Sequence, residues 1–381
     1  MTSAMMTSAC SHAHIAQWPN PARQIIEHVL AIALRGLPQM YRRDSGLFTF
    51  TCRKRDNDGV QQHGESLRYS CIVVLGVALL DEAGQRAILG GETAREFCGR
   101  LLSRIEHTNN LGDLALLIWC AAAVEHPHLP YAIERLDQLN GTYEPCETVA
   151  AAWVLSALLA AHKHICTQRL FDQARARLVQ CFNHAGGLFP HYTSPLIAPL
   201  GRSHVACFAD QVYPILALSQ LARATGDEFA LSIANRCAAQ IVSVQGAAGQ
   251  WWWHYEVHHG SVIEGYPVYS VHQNAMAPMA LLALADAGGT NHKDATARGL
   301  AWLEHAPEIG RSLIDDDRSV IWRKIGRSDV RKLVRFSRAV ANRIHPRLTL
   351  QPLNWMFQPT VVDFECRPYH LGWILYTWLG R

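Results

Sequence analysis

Charged residues are sparse in this sequence. Only 18% of the 381 residues are Asp, Glu, Lys or Arg, and the formal net charge at pH 7 is +3. Nucleic-acid binding leaves a much stronger basic bias, concentrated on one face of a domain. The composition therefore excludes nucleic acid as the principal partner, and any basic patch has to be local.

Paired cysteines and targeting segments are also missing. The eleven cysteines include no CxxC pair, and Cys71, Cys120 and Cys237 lie within apolar runs, as reduced, buried thiols do. No stretch reaches the roughly 18 apolar residues of a membrane-spanning helix, and the first residues lack the basic and apolar regions of a signal peptide. We expect a cytoplasmic protein in which residues 1–21 form a flexible N-terminal segment.

Nucleotide-binding and diphosphate-binding motifs are absent as well. The sequence contains no Walker loop, no GxGxxG fingerprint, no G-x-S-x-G elbow and no DDxxD motif. These absences disfavour nucleotide chemistry. We expect no cofactor.

The sequence does contain an internal repeat. A very apolar segment occurs six times, and each copy follows a more charged, amphipathic segment. Segments that are apolar all round belong in an interior, and amphipathic segments cover them. The apolar runs are 71–80, 114–124, 148–161, 211–222, 274–285 and 369–379, and the amphipathic runs are 22–36, 92–106, 130–139, 167–182, 227–244 and 293–305.

This alternation predicts the architecture. Outer and inner helices joined mostly by short turns make helical hairpins, and successive hairpins curl into a ring. Six hairpins close an (α/α)6 toroid. We therefore predict an all-α fold in which residues 22–381 form a single domain.

Turns after several outer helices share a glycine followed two residues later by an aromatic. Residues 245–251 read Q-x-x-x-G-x-W, and looser versions end at Phe48 and Phe189. Glycine lets the chain leave a helix at positive φ, and the aromatic packs back over the helix end. With the repeat, this pattern resembles the α/α-toroid proteins, both the six-hairpin glycosidase-like superfamily and the terpenoid cyclase and protein prenyltransferase superfamily. The resemblance covers roughly residues 22–381 and lies in architecture.

A long insertion interrupts the sixth hairpin at about residues 310–362. Insertions of this length in a compact domain are commonly functional. We predict a basic, largely helical protrusion outside the ring, and its residues 323–347 are a possible peripheral contact with an anionic membrane or polymer. The basic residues of its helix are Arg331, Lys332, Arg335, Arg338 and Arg343.

Polar side chains are expected to meet on one face of the ring. In a toroid the N-terminal ends of the inner helices and the loops before them converge there. Residues 251–276 place four histidines and several aromatics ahead of the fifth inner helix, and residues 362–373 bring a carboxylate, an Arg, a Tyr and a His to the sixth. Any single acidic residue here is also explained as a helix cap or a first-turn charge.

Candidate site residues follow from this convergence. The candidate catalytic residues are Asp210, Glu365, Glu65, His272, Tyr266 and His370. The candidate substrate-binding residues are Trp252, Trp253, His254, Glu264, Tyr269, Gln273, Arg367, Tyr369 and His204. One cavity is predicted to be lined by Asp210, Glu264, Tyr266, His272, Glu365, Arg367, Tyr369 and His370.

A zinc site is the alternative to a metal-free centre. Asp363, Cys366 and His370 are possible ligands, and the protein prenyltransferases that the fold resembles use an Asp, a Cys and a His. Here the three residues fall within eight positions, whereas that family disperses its ligands along the chain. We expect no metal, and this triad is the alternative.

Three classes of function are compatible with these features. The first is a carbohydrate-active enzyme on a glycan or glycoconjugate: a hydrolase if two carboxyl groups lie roughly 5–10 Å apart, or a uronate lyase or epimerase if His272, Tyr266 and Arg367 suffice. The second is an isoprenoid enzyme of the terpenoid cyclase or prenyltransferase kind, although the acidic initiating motif is missing. The third is a non-catalytic toroidal binding protein.

Overall fold

Twelve helices alternate between the outside and the inside of a ring. The computed structural model describes residues 14–55, 59–199, 202–328, 333–345, 348, 350 and 352–380. The outer helices are α1 (Ala22–Gly36), α3 (Ala94–Leu102), α5 (Leu129–Gln138), α7 (Gln168–Gln180), α9 (Glu228–Ser243) and α11 (Lys293–Glu304). The inner helices are α2 (Leu67–Val77), α4 (Leu111–Ala123), α6 (Thr148–His162), α8 (Ala209–Thr225), α10 (Ala277–Asp286) and α12 (Pro368–Leu379).

The inner helices form a closed ring, which confirms the predicted (α/α)6 toroid. Each of them contacts the next along the chain, and α12 contacts α2. Gly76 and Gly372 allow this last contact, because a Cβ on Gly76 would lie 2.3 Å from the Gly372 carbonyl oxygen. The six apolar runs identified in the sequence all fall in this inner ring, since their side chains pack on every side.

Outer helices bury one stripe each. In α5 the buried residues are Leu129, Ala132, Ile133 and Leu136, the i, i+3, i+4, i+7 spacing of an amphipathic helix. The outer helices thus cover the apolar ring and present their charged faces to solvent.

The glycine turns have the conformation that the sequence predicts. Gly46, Gly187 and Gly249 all have positive φ, and Phe48, Phe189 and Trp251 are fully buried. Space is as restrictive as φ at Gly249, because a Cβ there would lie 2.1 Å from the Arg298 carbonyl oxygen. The Q-x-x-x-G-x-W motif is therefore structural.

The fifth inner helix begins with a π-helical turn at His272–Met276. Pro278 has no N–H to donate to the carbonyl of Asn274, and the indole Nε1 of Trp378 donates to that oxygen instead, at 2.8 Å. The hydroxyl of Thr377 donates to the next carbonyl, on Ala275, at 3.2 Å. These bonds join α12 to the π turn and place His272 at the mouth of the ring.

Short strands supplement the helices among the described residues. They are β1 (Tyr41–Arg42), β2 (Leu47–Phe48), β3 (Thr51–Lys54), β4 (Val60–His63), β5 (Val205–Cys207), β6 (His254–Glu256), β7 (Val262–Glu264), β8 (Val268–Tyr269), β9 (Ile314–Asp315), β10 (Val320–Ile321), β11 (Lys324–Gly326), β12 (Val361–Asp363) and β13 (Glu365–Cys366). All pairings are antiparallel. One three-stranded sheet, in the order β12-β11-β8, attaches the insertion to an earlier loop, and a second, in the order β13-β3-β4, attaches the segment that follows the insertion.

The insertion differs in two ways from the basic protrusion predicted. It is partly strand, and its helix (Leu333–Ile344, the insertion helix) packs against β7. Arg338 was expected on an exposed basic face, but it is buried and pairs with Glu264 at 3.1 Å. The side chain is drawn inward because a buried carboxylate needs a cationic partner. Arg331, Lys332 and the side chain of Arg343 lie outside the described residues.

The packed part of the chain begins before residue 22. Ile15 and Trp18, in the segment predicted to be flexible, are buried, and the Trp18 ring meets Trp378 edge-on with centroids 5.5 Å apart. Residues 1–13 lie outside the described residues. No helix in the described part of the chain is both long enough and apolar enough to cross a membrane.

Candidate active site

A cavity of about 230 Å³ opens where the N-terminal ends of the inner helices converge. Tyr69 lies in the first turn of α2, Ala209 begins α8, His272 begins the π turn and Tyr369 lies in the first turn of α12. Helix N-termini carry partial positive charge, so this end of the ring favours an anionic ligand. The polar and aromatic lining residues are Arg68, Tyr69, Trp153, Cys207, Phe208, Tyr213, Trp253, Tyr269, His272, Arg323 and Tyr369.

Aromatic rings form much of the cavity wall. The centroids of Trp253 and Tyr269 are 4.2 Å apart, and those of Trp153 and Tyr213 are 5.1 Å apart in an edge-on arrangement. Such pairs fix ring orientation. Burial raises the pKa of Tyr213. The wall is thus rigid, apolar on its faces and able to donate hydrogen bonds from its phenols.

Two arginines line the cavity and a third lies behind it. The Arg68 guanidinium donates to Asp113 at 2.6 Å and lies over the Trp153 ring. The Arg323 guanidinium lies over the Tyr269 ring, 5.3 Å from its centroid. Behind them, Arg367 donates to the Tyr69 hydroxyl at 2.9 Å. These cations are held in place by other contacts and so are preorganised for a negatively charged group.

His272 is the lining residue best suited to accept a proton. It is 7% exposed, its ring packs at a tilt against Phe208 with centroids 4.5 Å apart, and its Nδ1 has no hydrogen-bond partner among the described residues. Burial lowers the pKa of His272 to about 3, so the ring is neutral. The unused nitrogen can accept a proton, but an imidazole with a pKa of about 3 is a weak base, so His272 needs a bound anion that raises its pKa before it can act as a general base.

A second, larger cleft of about 600 Å³ adjoins the cavity and shares Trp253, Tyr269 and Arg323 with it. Its charged lining residues are Glu264, Arg323, Lys324, Arg327, Arg335 and Asp363. Glu264 is neutralised by Arg327 at 3.1 Å and by the buried Arg338. The cleft therefore extends the cationic character of the cavity outward.

Two of the predicted catalytic carboxylates are held by partners and do not line the cavity. Asp210 is fully buried, accepts the Cys207 backbone N–H at 2.7 Å and contacts His191 Nδ1 at 3.0 Å. Glu365 contacts the guanidiniums of Arg53, Arg323 and Arg367. Burial opposes its ionisation, but the charges of Arg323 and Arg367 outweigh burial and hold the pKa of Glu365 below its usual value.

Glu65, the third candidate carboxylate, is exposed, with Arg104 at 3.9 Å. The expected carboxyl pair is therefore not found along the described cavity wall. Asp210 instead fits the alternative explanation noted in the sequence analysis: it is an acidic residue in the first turn of a helix that accepts a local backbone N–H.

The remaining candidates divide between the two openings and the protein interior. Trp253, Tyr269, His272 and Tyr369 line the cavity, and Glu264 and Tyr266 line the cleft. Arg367 is linked to the cavity by its hydrogen bond to the hydroxyl of Tyr69, which lines the cavity. The other candidates make structural contacts in the interior. Trp252 donates a hydrogen bond to the Val244 carbonyl, His204 contacts the Ala339 carbonyl, and His370 contacts Asn274. Gln273 forms hydrogen bonds with the backbone of Trp251 and Tyr269, and His254 is buried on β6.

The alternative zinc triad is not assembled. Asp363 pairs with Lys324, Cys366 is buried on β13, and His370 points to Asn274. Strand β13 and the start of α12 carry these side chains in different directions. Within the described residues, the one group of three or more potential ligands close enough to share a metal is His191, Cys207 and Asp210.

Several site residues were missed from the sequence. Arg68 and Tyr69 begin the first inner helix, and the same argument that selected Tyr369 applies to them. Arg323 belongs to the insertion, and only the strand pairing of β11 with β8 brings it beside Tyr269. Nothing local in the sequence indicates that pairing.

Comparison with known proteins gives the fold class. No family model matches this chain, and no curated protein does either. Solved structures do match. An unsaturated glucuronyl hydrolase from Streptococcus agalactiae is 11% identical over 98% of this chain and 96% of its own, with a TM-score of 0.59. A sugar epimerase from a ruminal bacterium is 8% identical over 94% and 99%, with a TM-score of 0.59. An unsaturated glucuronyl hydrolase specific for heparin is 13% identical over 94% and 95%, with a TM-score of 0.57.

The chain therefore has the fold of the six-hairpin glycosidase-like α/α toroids, which confirms one of the two resemblances noted in the sequence. These three neighbours give no support to the terpenoid cyclase resemblance. At such low identity the likeness concerns the fold, and the activity has to be argued from the site.

Proposed function

We propose that this protein is a carbohydrate-active enzyme that acts on a sugar bearing a carboxylate, and that it moves a proton on the carbon next to that carboxylate. One observation carries the proposal: the described cavity wall combines Arg68, Arg323, four tyrosines and the neutral His272, and includes no Asp or Glu. Two-carboxyl glycoside hydrolysis needs a carboxyl pair. Elimination or epimerisation next to a carboxylate needs a cation, a base and an acid.

Six of the lining residues have a role in such a reaction. Arg68 and Arg323 bind the carboxylate and stabilise the negative charge that develops on it when the neighbouring C–H bond breaks. Trp153 and Trp253 offer aromatic faces to the sugar ring. His272 accepts the proton, and because a bound anion favours protonation of a nearby imidazole, substrate binding raises the pKa of His272.

The acid in this scheme is the Tyr69 hydroxyl. In an elimination, the electrons of the C–H bond form a C=C bond to the adjacent carbon, the C–O bond on that carbon breaks, and Tyr69 gives its proton to the departing oxygen. In an epimerisation, Tyr69 returns a proton to the opposite face of the same carbon. Arg367, 2.9 Å from the Tyr69 hydroxyl, stabilises the phenolate that remains.

The neighbouring structures agree with this substrate class. Two of them are described as unsaturated glucuronyl hydrolases, one specific for heparin, and another as a sugar epimerase. A glucuronyl group carries the carboxylate that the arginines here would bind. A purely hydrolytic activity is the second candidate, favoured by those glucuronyl hydrolase names alone.

The two other classes of function have less support. An isoprenoid cyclase needs an acidic group to start its reaction, and the described wall of the cavity supplies none, while Glu264 in the adjoining cleft is paired with arginines. A binding protein without activity needs no neutral base in the cavity, whereas His272 lies there with an Nδ1 that has no hydrogen-bond partner among the described residues.

Location and partners stay predictions. The ten cysteines in the described part of the chain are all free, which favours the reducing cytoplasm. A glycan is the expected partner at the cavity. A peripheral contact of residues 323–347 with an anionic membrane or polymer also stays a prediction.

Proton exchange tests the proposed function directly. Incubation of the purified protein in D2O with uronate-containing oligosaccharides is expected to produce either deuterium at the carbon next to the carboxylate or an unsaturated product, detected by NMR and by ultraviolet absorbance. We expect His272→Gln and Tyr69→Phe each to lower the rate by about 10²–10⁴-fold. The matched controls are His259→Gln and Tyr131→Phe, both at exposed residues.

Two results would overturn the proposal. One is equal turnover of neutral and acidic oligosaccharides, because the arginines would then have no carboxylate to bind. The other is full activity in His272→Gln with unchanged circular dichroism, because another residue would then be the base.

A further inference from the structure

Three potential metal ligands of different chemistry meet beside the cavity. The ligand atoms of His191, Cys207 and Asp210 all lie within 4.8 Å of one another. Ligand atoms on a tetrahedral zinc ion, at roughly 2.0–2.3 Å from the metal, are about 3.3–3.8 Å apart. Moving the side chains by an ångström or less therefore closes the cluster around an ion.

All three side chains are positioned by backbone contacts. The backbone carbonyl of His191 accepts the Thr148 N–H at 2.9 Å, and that of Pro190 accepts the Thr148 hydroxyl at 2.6 Å, which ties this loop to the start of α6. Asp210 is fully buried in the first turn of α8 and accepts the Cys207 N–H. The cluster is thus fixed between two inner helices rather than formed by mobile surface groups.

A fourth polar group lies next to the cluster without a partner. His254 is directly opposite Cys207 in the β5–β6 pairing, and paired residues of an antiparallel sheet place their side chains on the same face. Its ring is 5% exposed, and Nδ1 has no hydrogen-bond partner in the described part of the chain. A buried, unpaired nitrogen is costly, and a water bound to a metal at the cluster would give it a partner.

We propose that His191, Cys207 and Asp210 bind one zinc ion. Nitrogen, thiolate and carboxylate together suit zinc, whereas Mg²⁺ and Ca²⁺ prefer oxygen alone. Three protein ligands leave the fourth tetrahedral position for a water molecule, as in catalytic zinc sites. Since Cys207 lines the cavity, that water would lie at the cavity wall. Zinc binding by these residues requires no sugar substrate in the cavity.

Proton release accompanies binding in this scheme. Zinc binds a thiolate and an unprotonated imidazole nitrogen, so any proton on Cys207 or His191 leaves when the ion binds. Affinity is therefore expected to rise with pH.

Cobalt titration provides the test. The purified full-length protein is stripped with a chelator and titrated with Co²⁺, then with Zn²⁺. We expect one equivalent of Co²⁺ to produce the near-ultraviolet charge-transfer band of a thiolate–cobalt bond, and Zn²⁺ to abolish it. The band is expected to disappear in Cys207→Ser and to persist in Cys181→Ser, a control at another half-buried free thiol.

His191→Gln covers the case in which Cys207→Ser fails to fold. The His191 side chain is 35% exposed, so its replacement is tolerated more easily, and it is expected to keep the band but weaken metal binding at least tenfold. Absence of any charge-transfer band with the folded wild-type protein overturns the proposal. So does a band that survives in Cys207→Ser, or an affinity that His191→Gln leaves unchanged.

Discussion

Buried histidines give this protein a definite response to acid. Burial lowers the pKa of His272 and of His370 to about 3, and it lowers the pKa of His254 as well. All three side chains are therefore neutral in the folded chain at neutral pH. In the unfolded chain an ordinary histidine takes up a proton near pH 6.5.

We predict that stability falls as the pH drops from about 6.5 towards 3. The folded pKa lies below the unfolded one, so the stabilising contribution is complete above pH 6.5 and is lost on acidification, by about 1.4 kcal/mol per pH unit for each histidine. Urea unfolding at a series of pH values measures this slope. His370→Gln should reduce the slope by one histidine, because glutamine can still donate to Asn274; an unchanged slope would contradict the assignment.

At the residue scale, the sequence identified the types of side chain but not their partners. Tyr369 and His272 were found because an inner-helix start is a local feature. Asp210 and Glu365 were assigned as acids because their positions looked equivalent to that of His272. What separates them is the Arg323 guanidinium, which arrives from the insertion, and the His191 ring, which arrives from the loop before β5. Neither contact has a signal in local spacing.

At the scale of elements, a buried ion pair attaches the insertion helix to the ring. Arg338 donates to Glu264 at 3.1 Å and to Asn354 at 2.6 Å, so it joins the helix both to β7 and to the segment that follows. Arg327 also contacts Glu264, so the carboxylate keeps a cationic partner when Arg338 is removed.

We expect Arg338→Met to loosen the insertion helix while leaving the ring intact. A lost charge-assisted hydrogen bond costs about 2 kcal/mol, which corresponds to roughly 30-fold faster amide exchange in residues 333–344. Hydrogen exchange with mass spectrometry measures this, with α4 as the internal reference. Phe336→Ala, at a residue that is 71% exposed, is the control; equal loosening in both variants would remove the special role of Arg338.

The outer face of the insertion helix is apolar. Leu333, Phe336 and Val340 are exposed at i, i+3 and i+7, and Trp355 and Met356 on the short helix Pro352–Met356 are exposed as well. In the sequence, Arg331 and Lys332 directly precede Leu333. An apolar stripe flanked by basic residues is the pattern of helices that lie in a membrane interface.

We predict binding to vesicles that contain anionic lipid. Replacing Leu333, Phe336 and Val340 by serine should weaken co-sedimentation about tenfold or more, because the buried apolar area supplies much of the affinity, and added salt should weaken it because exposed charges are screened. The matched control is serine at Leu196, Ile197 and Phe229, which are exposed elsewhere. Binding that is insensitive to both changes would argue against a membrane contact.

The helices were easier to predict than the insertion for a physical reason. Each inner run is recognisable because an α-helix surrounded by neighbours is apolar on every side, and ten or more residues carry that signal. Strands β11 and β13 have two or three residues, and their partners β8 and β3 lie far away in sequence. The length of the insertion could be predicted from the sequence, but the pairing of strands β11 and β13 with distant strands could not.

At the scale of the whole molecule, one hairpin sector contains both ends of the described chain. Helix α12 packs on α1 and α2, and Trp18 contacts Trp378. The last inner helix thus closes the ring by packing against the first hairpin and against the segment that precedes the first outer helix.

In a ring closed in this way, each hairpin contacts its two neighbours whichever hairpin comes first in the chain. If a designed flexible linker joins residue 380 to residue 14, new ends opened at Gly226, an exposed left-handed glycine between α8 and α9, should leave every helix contact in place. We predict that this circular permutant folds with unchanged helical circular dichroism and, since exposed turn tips tolerate such cuts, with a small change in melting temperature. Failure to fold would mean that chain direction, and not only adjacency around the ring, governs how the six hairpins assemble.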